Sequence, residues 1–258
     1  LNTAIKLNPV FKEAYILRAQ LYKKKGGVEN IKKSKQDLLT VKRISESKIP
    51  YTEGLNNFYN EQFDTAIQLF TTSIKLNPFD PNIYNIRGLA YINKNKPNNA
   101  MADFNKAIEL NPNFVDAYNN RATLYASKKK YESALTDLNK IIELEPNSPE
   151  AYYNIGLICQ MKDNYEESIK YFTESINHSK EKPNDITYYS RGYSYYVLGD
   201  FVQANKDFLL TLKLNPSNTE AQSYRQLALV NLKKQKSENK VKNLDTFIKL
   251  KSPNKSTK

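Results

Sequence analysis

The sequence predicts an all-α fold, an α-solenoid of antiparallel helix pairs, and three observations predict it. Residue types recur every 34 positions. Tyr84, Gly88, Tyr91, Ala100, Phe104, Ala107 and Pro112 form one copy, and Tyr118, Ala122, Tyr125, Ala134, Leu138, Ile141 and Pro146 form the next. Within a copy, apolar residues recur at helical spacing twice over: Ile83, Ile86, Leu89, Ala90 and Ile92, then Ala100, Phe104, Ala107, Ile108 and Leu110. Turn formers separate the two runs at Asn95-Lys96-Pro97-Asn98-Asn99. Asn111-Pro112 ends the second run, because proline disfavours helical geometry in the residue before it. A fixed period of this length means stacked supersecondary units, so function is sought on a long surface rather than in one pocket.

The elements follow in order. Residues 1–9 align with residues 104–112, so 1–11 read as the second-helix remnant of a truncated repeat. The chain is then expected to be either a piece of a larger protein or one trimmed at its start. Residues 12–46 are a divergent copy with Tyr15, Ala19 and Tyr22, followed by a longer basic loop and a degenerate second helix. Copy 47–80 keeps Gly54, Ala66, Phe70 and Pro78, and copies 81–114 and 115–148 are the most regular. Copy 149–184 keeps Tyr152, Gly156 and Phe172, but has Ser168 at the Ala position and Cys159 at the second aromatic, and runs long through Ser179-Lys180-Glu181-Lys182-Pro183. Copy 185–218 completes the array. Residues 219–236 read as a capping helix and 237–258 as a basic tail. In that tail Val241, Leu244, Phe247 and Ile248 are spaced for a short helix, docking on the array or meeting a partner. Ser252-Pro253 falls in an end expected to be disordered. Gly88 and Ala122 are small where Phe104 and Phe208 are large, the complementarity by which helices interlock.

The aromatic, small, aromatic, Ala, Phe/Leu, Ala, Pro order at these offsets resembles the tetratricopeptide repeat (TPR), over residues 1 to about 230. The resemblance implies a right-handed TPR superhelix whose first helices line a concave groove through positions 2, 5, 6, 9, 12 and 13 of each copy. The expected partner-binding residues are Tyr51, Phe58, Asn85, Leu89, Asn119, Asn120, Tyr153, Asn154, Tyr189, Tyr193, Tyr196 and Tyr224. Gln160 and Leu227 fall on the same positions. Asparagine amides both donate and accept, so they can grip a peptide backbone whatever its sequence. Tyrosines supply stiff contact area with a polar tip. Asn120 and Asn154 stand where peptide-binding members of the family use such an amide. A plain abundance of Tyr and Asn in this sequence is the competing explanation.

Chaperone adaptors of the family clamp a carboxylate with Lys at position 5. Here that position reads Ile16, Tyr51, Asn85, Asn119, Tyr153, Tyr189 and Ser223, so no carboxylate-clamp contact is expected. Arg18, Arg87, Arg121, Arg191 and Arg225 recur two positions later in each copy, and are expected at the groove edge, paired to carboxylates or reaching a ligand.

The net charge of +12 is uneven: +8 over residues 1–50, −3 over 51–230 and +7 over 231–258. A nucleic-acid reader would spread Lys and Arg along its binding face. This chain places them at its ends, so no specific nucleic acid is expected, and the basic tail is left to touch an anionic partner. The pentatricopeptide alternative repeats at 35 and lacks this motif. No apolar run approaches the roughly 20 residues that span a bilayer. The lone Cys159 excludes an intrachain disulfide and suits a reducing compartment. His178, the only histidine, is assigned to the long loop, and no cluster has metal-ligand spacing. No cofactor, metal or catalytic residue is expected. The sequence thus reads as a non-enzymatic, cytoplasmic scaffold or adaptor that holds an extended or helical polypeptide in a larger assembly. The alternative is the substrate-recognition arm of a larger enzyme.

Overall fold

A computed structural model describes residues 1–179 and 183–251, with side chains through residue 239. Among the described residues there are helices, turns and no strands. The helices are α1 (Asn2–Leu7), α2 (Lys12–Lys25), α3 (Val28–Glu46), α4 (Lys48–Tyr59), α5 (Phe63–Leu76), α6 (Pro81–Asn93), α7 (Pro97–Leu110), α8 (Val115–Ser127), α9 (Tyr131–Leu144), α10 (Pro149–Met161), α11 (Tyr165–His178), α12 (Asp185–Val197), α13 (Phe201–Leu214) and α14 (Thr219–Lys251). They divide into two compact units, residues 1–140 and 141–258.

Local chemistry sets the helix ends. Pro81 and Pro149 open α6 and α10, where a missing N–H is harmless, behind the caps Asp80 and Ser148. Asn184 and Asp200 cap α12 and α13. At the other end, the C-caps Asn77, Asn111 and Asn215 leave helical geometry just before a proline. The turn inside each pair passes through a left-handed residue: Glu61, Asn95, Lys129 and Asp163 at φ near 60°, then Gly199 at 78°.

In the first unit, α4–α5 and α6–α7 form pairs, α5 packs on α6, and α7 packs on α8. Three motif positions explain the stacking. Gly54 and Gly88 admit the rings of Phe70 and Phe104, both fully buried. Ala122 and Leu138 take the corresponding places in the next copy. The motif tyrosine joins consecutive copies, since Tyr84 Oη donates to Pro78 O at 3.2 Å and Tyr118 Oη to Pro112 O at 3.3 Å.

The second unit repeats these devices. Gly156 faces Phe172, Gly192 faces Phe208, and Tyr152 Oη donates to Pro146 O at 3.1 Å. Where the motif alanine becomes a hydroxyl residue, the added group bonds back into the pair: Thr211 Oγ1 reaches Asp185 O at 3.3 Å. Ser73 does the same in the first unit, to Ser47 O at 2.7 Å.

Three readings differ from the structure. The basic stretch expected as a loop after Lys25 is a two-glycine link, Gly26 and Gly27 at φ 68° and 81°, and Lys32, Lys33 and Lys35 lie on α3. Lysine is a good helix former, so a run of it on a solvated face extends a helix. His178 ends α11 instead of lying in the loop, and stacks on Tyr152 at 5.2 Å between ring centroids. The capping helix does not stop near residue 236 but continues to Lys251. The side chains of Val241, Leu244, Phe247 and Ile248, together with Ser252-Pro253 and residues 180–182, lie outside the described residues.

Candidate partner-binding face

In the first unit the expected residues come from α4, α6 and α8. Tyr51 and Phe58 are half-buried and pack against the core around Phe70 and Ile83. The Tyr51 ring sits 6.1 Å from that of Phe70, and Phe58 meets Tyr59 and Phe63 edge-on. Leu89 packs against Ala100, Phe104 and Leu124. Asn85 is buried at 9% exposure and accepts a hydrogen bond from Asn120 Nδ2 at 2.9 Å. Asn119 and Asn120 are adjacent on α8, and Asn119 O accepts from Thr123 Oγ1. The Asn85–Asn120 bond links successive copies. Spacing alone equates Asn85 with Asn119, one position away, so the pairing was not legible in the repeat.

In the second unit α10 carries Tyr153 and Asn154, α12 carries Tyr189, Tyr193 and Tyr196, and α14 carries Tyr224. Tyr224 is the hub: its ring lies 6.3, 5.3 and 5.4 Å from Tyr189, Tyr193 and Tyr196, and 5.9 Å from Phe208. Tyr153 sits 5.6 Å from Phe172. Burial pushes the Tyr189 hydroxyl up to about 12, with the nearby Glu220 carboxylate and Tyr224 adding to the shift. These rings therefore pack on the core while each residue stays half-buried.

Two features of the second unit had no clear sequence signal. Gln160 Nε2 donates to Ser190 O at 2.8 Å and to Ser194 Oγ at 2.7 Å, and Ser194 Oγ shares a 2.7 Å bond with Ser168 Oγ. Ser168, out of place against the motif alanine, is thus one end of a buried polar network. A cleft of about 700 Å³ opens at the starts of α10 and α12, lined by Asn147, Glu150, Tyr153, His178, Asn184 and Thr187 among others. Cys159 is buried, and burial pushes its thiol up to about 11, far from the range of a reactive thiolate.

The recurring arginines are pairing residues. Arg18, Arg87, Arg121 and Arg191 each send Nε and Nη2 to both oxygens of Asp37, Asp103, Asp137 and Asp207, at 2.7–2.9 Å. Their Nη1 atoms reach back to the preceding second helix, at Asn2, Thr71, Asn105 and Thr173. Arg225, whose counterpart of the paired aspartates is Val241, bonds Asn205 through Nε. The guanidiniums of Arg18, Arg87, Arg121 and Arg191 also lie over motif tyrosines, as Arg87 does over Tyr84 and Tyr91. Copies 47–80 and 149–184 have Glu53 with Leu69 and Ile155 with Tyr171 at the paired positions, so Arg and Asp are present together or absent together.

Among the described residues no helix is long and apolar enough to cross a membrane, and no group of three or more His, Cys, Asp or Glu could hold a metal ion. Profiles described as tetratricopeptide repeat match residues 81–114, 104–136 and 149–178, and one described as TPR repeat matches 122–163. No curated protein sequence matches the chain. Solved structures share its fold. MamA of Desulfovibrio magneticus RS-1 is 20% identical with a TM-score of 0.59, covering 67% of this chain and 96% of that one. A thermophilic TPR protein of Thermus thermophilus is 16% identical with a TM-score of 0.55, covering 71% and 99%. YrrB, described as a TPR protein with an unusual peptide-binding site, is 17% identical with a TM-score of 0.56, covering 72% and 97%. Successive profiles over residues 81–178 identify the central copies as tetratricopeptide repeats, and these structures share the helix-pair fold.

Proposed function

We propose that the protein is a non-catalytic interaction scaffold that holds a polypeptide segment against the first-helix face of its repeats. The observation that carries this reading is the division of labour among polar residues. Arginine and aspartate positions are taken up by bidentate pairing, whereas Asn85, Asn120 and the tyrosines present amides and hydroxyls on the first helices. The Asn120 amide that donates to Asn85 also carries a carbonyl oxygen that can accept, and the Asn85 amide carries donors besides the oxygen used here. Together they offer the two complementary groups that a peptide unit needs. The YrrB structure supports the reading to the extent that a protein of this fold carries a peptide-binding site. We place the protein in the cytoplasm as part of a larger assembly, and propose that its basic tail touches an anionic partner.

The test compares proteins captured from cell extract by the full chain, by Asn120→Ala with Asn154→Ala, and by Lys170→Ala on the exposed side of α11. Quantitative mass spectrometry should show the same partners lost from the double variant and kept by Lys170→Ala. Breaking the Asn85 bond costs about 1 kcal/mol, so capture is done well below the melting transition. Equal recovery by all three baits would refute the assignment of this face.

A further inference from the structure

The second unit's face has an apolar and a charged side to its chemistry, and both constrain what fits it. The rings of Tyr153, Tyr189, Tyr193 and Tyr224 are half-buried, and Leu227 and Val230, on the same helix as Tyr224, are 47% and 61% exposed. A partner covering these side chains gains apolar burial. Both arginines of this face are engaged: Arg191 is bidentate with Asp207, and Arg225 bonds Asn205. Glu150 and Glu220 are exposed and have no cationic partner among the described residues, although Glu220 accepts from the Tyr189 hydroxyl. Glu150 lies in the cleft beside Tyr153, and Glu220 stands beside the Tyr189 hydroxyl. A carboxylate next to an aromatic ring attracts a cation twice, by its charge and by the ring's quadrupole.

We infer that this face takes a segment of a partner protein that is basic as well as apolar, seating a Lys or Arg side chain in the cleft against Tyr153 and Glu150. The inference rests on the groove reading above and narrows it to a ligand class. Long-range electrostatics pull the other way. A chain of net charge +12 attracts acidic peptides, so a preference for basic ones can only come from local acids.

Three labelled twelve-residue peptides test this, alike in their alternating Leu and Tyr positions and carrying Lys, Gln or Glu between them. Fluorescence anisotropy with the full chain should show the Lys peptide binding roughly tenfold tighter than the Gln peptide at low salt, with the gap closing at high salt. Glu150→Gln with Glu220→Gln should bring the Lys peptide down to the Gln level. Hydrogen exchange should show protection on α10, α12 and α14. Equal binding of Lys and Gln peptides with that protection overturns the charge inference and leaves the groove reading standing. Protection on α11 and α13 instead overturns the groove reading. If the acids serve only the helix N-termini, the double variant loses a little stability and keeps the peptide ranking, which also overturns the inference. No measurable binding of the Lys peptide overturns it outright.

Discussion

Replacing the motif glycines by alanine separates close packing from helix propensity, because the four sites differ in the space a Cβ would find. A Cβ at Gly88 would stand 2.6 Å from Phe104 Cε1 and 2.9 Å from Cδ1. Gly54 and Gly156 are as tight, at 2.6 Å from Phe70 and Phe172. Each ring is fully buried and has no room to swing aside. Such overpacking costs about 1–3 kcal/mol. Alanine in a helix interior returns about 1 kcal/mol of propensity, so the net loss is about 0–2 kcal/mol, toward the upper end where the contact is 2.6 Å. At Gly192 the nearest atoms, Asp207 Cβ and Phe208 Cε1, are both 3.1 Å away. There a shift of a few tenths of an ångström suffices, and Gly192→Ala should stay within about 0.5 kcal/mol of wild type. The chain already contains the compensated solution in Ala122 with Leu138. Gly88→Ala combined with Phe104→Leu should therefore cost about 1 kcal/mol less than the sum of the single changes. Urea titrations read alongside hydrogen exchange of α6 and α7 measure this, since repeat arrays need not unfold in one step. Equal losses at Gly88 and Gly192, or strict additivity in the double variant, would refute the packing account.

Three further outcomes follow from the same geometry. Asp103→Ala should cost about 3 kcal/mol, because Arg87 is left buried without its carboxylate. Replacing both residues by leucine should recover most of that loss, and a double-mutant cycle by denaturant titration reads the coupling. Lys129→Gly relieves a left-handed lysine at φ 57° and should raise stability by up to about 1 kcal/mol, whereas Gly199→Ala at φ 78° should lower it by about as much. Calorimetric melting of the two variants checks the opposite signs. Tyr189 titrates near 12 against an ordinary 10.0, so the fold favours its neutral form. Its stabilisation is complete below pH 10 and is lost as pH rises toward 12. Near-ultraviolet tyrosinate absorbance should show a late-titrating tyrosine that Tyr189→Phe removes.

The repeat period, helix pairs and Gly–Phe packing were legible because each rests on local chemistry that recurs at fixed offsets. Proline marks the helix ends, small faces large inside the pair, and tyrosine is positioned to reach the proline carbonyl. What departed from expectation was set by neighbours that spacing does not reveal. The lysines after Gly27 read as a loop because they are charged, yet a solvated helix face accepts them. Of the face residues, their places on first helices were readable from the register. That Tyr189, Tyr193 and Tyr196 would gather around Tyr224 was not, because the repeat register gives helix positions and not which rings meet between α12 and α14. Nor was the network from Gln160 through Ser194 to Ser168, whose members lie on three different helices.

The abundance of asparagine and tyrosine can be weighed against their tasks. Asn8, Asn77 and Asn111 accept from backbone N–H groups two residues on at helix C-termini, and Asn105 and Asn205 receive arginines. Tyr84, Tyr118 and Tyr152 bond proline carbonyls between copies. These residues are accounted for by the array itself, at its motif and capping positions. Tyr193 and Tyr224 occupy first-helix positions where the motif demands neither an aromatic nor a cap, and Asn120 stands at a position where the motif demands no amide. The second helices carry such residues too, among them Asn98, Asn139, Tyr165 and Tyr171, so exchange at chosen positions, and not their distribution, separates function from composition. Exchanging Asn120 and Tyr193 for Ser and Leu while leaving Asn111 and Tyr118 intact makes the separation: partner capture should fall well below the melting transition, while melting drops by only a few degrees for the lost Asn85 bond and ring contacts. The reverse exchange, Asn111→Ser with Tyr118→Leu, should lower melting first. If both pairs change stability alike and neither changes capture, asparagine and tyrosine are compositional on this face, and the binding surface lies elsewhere.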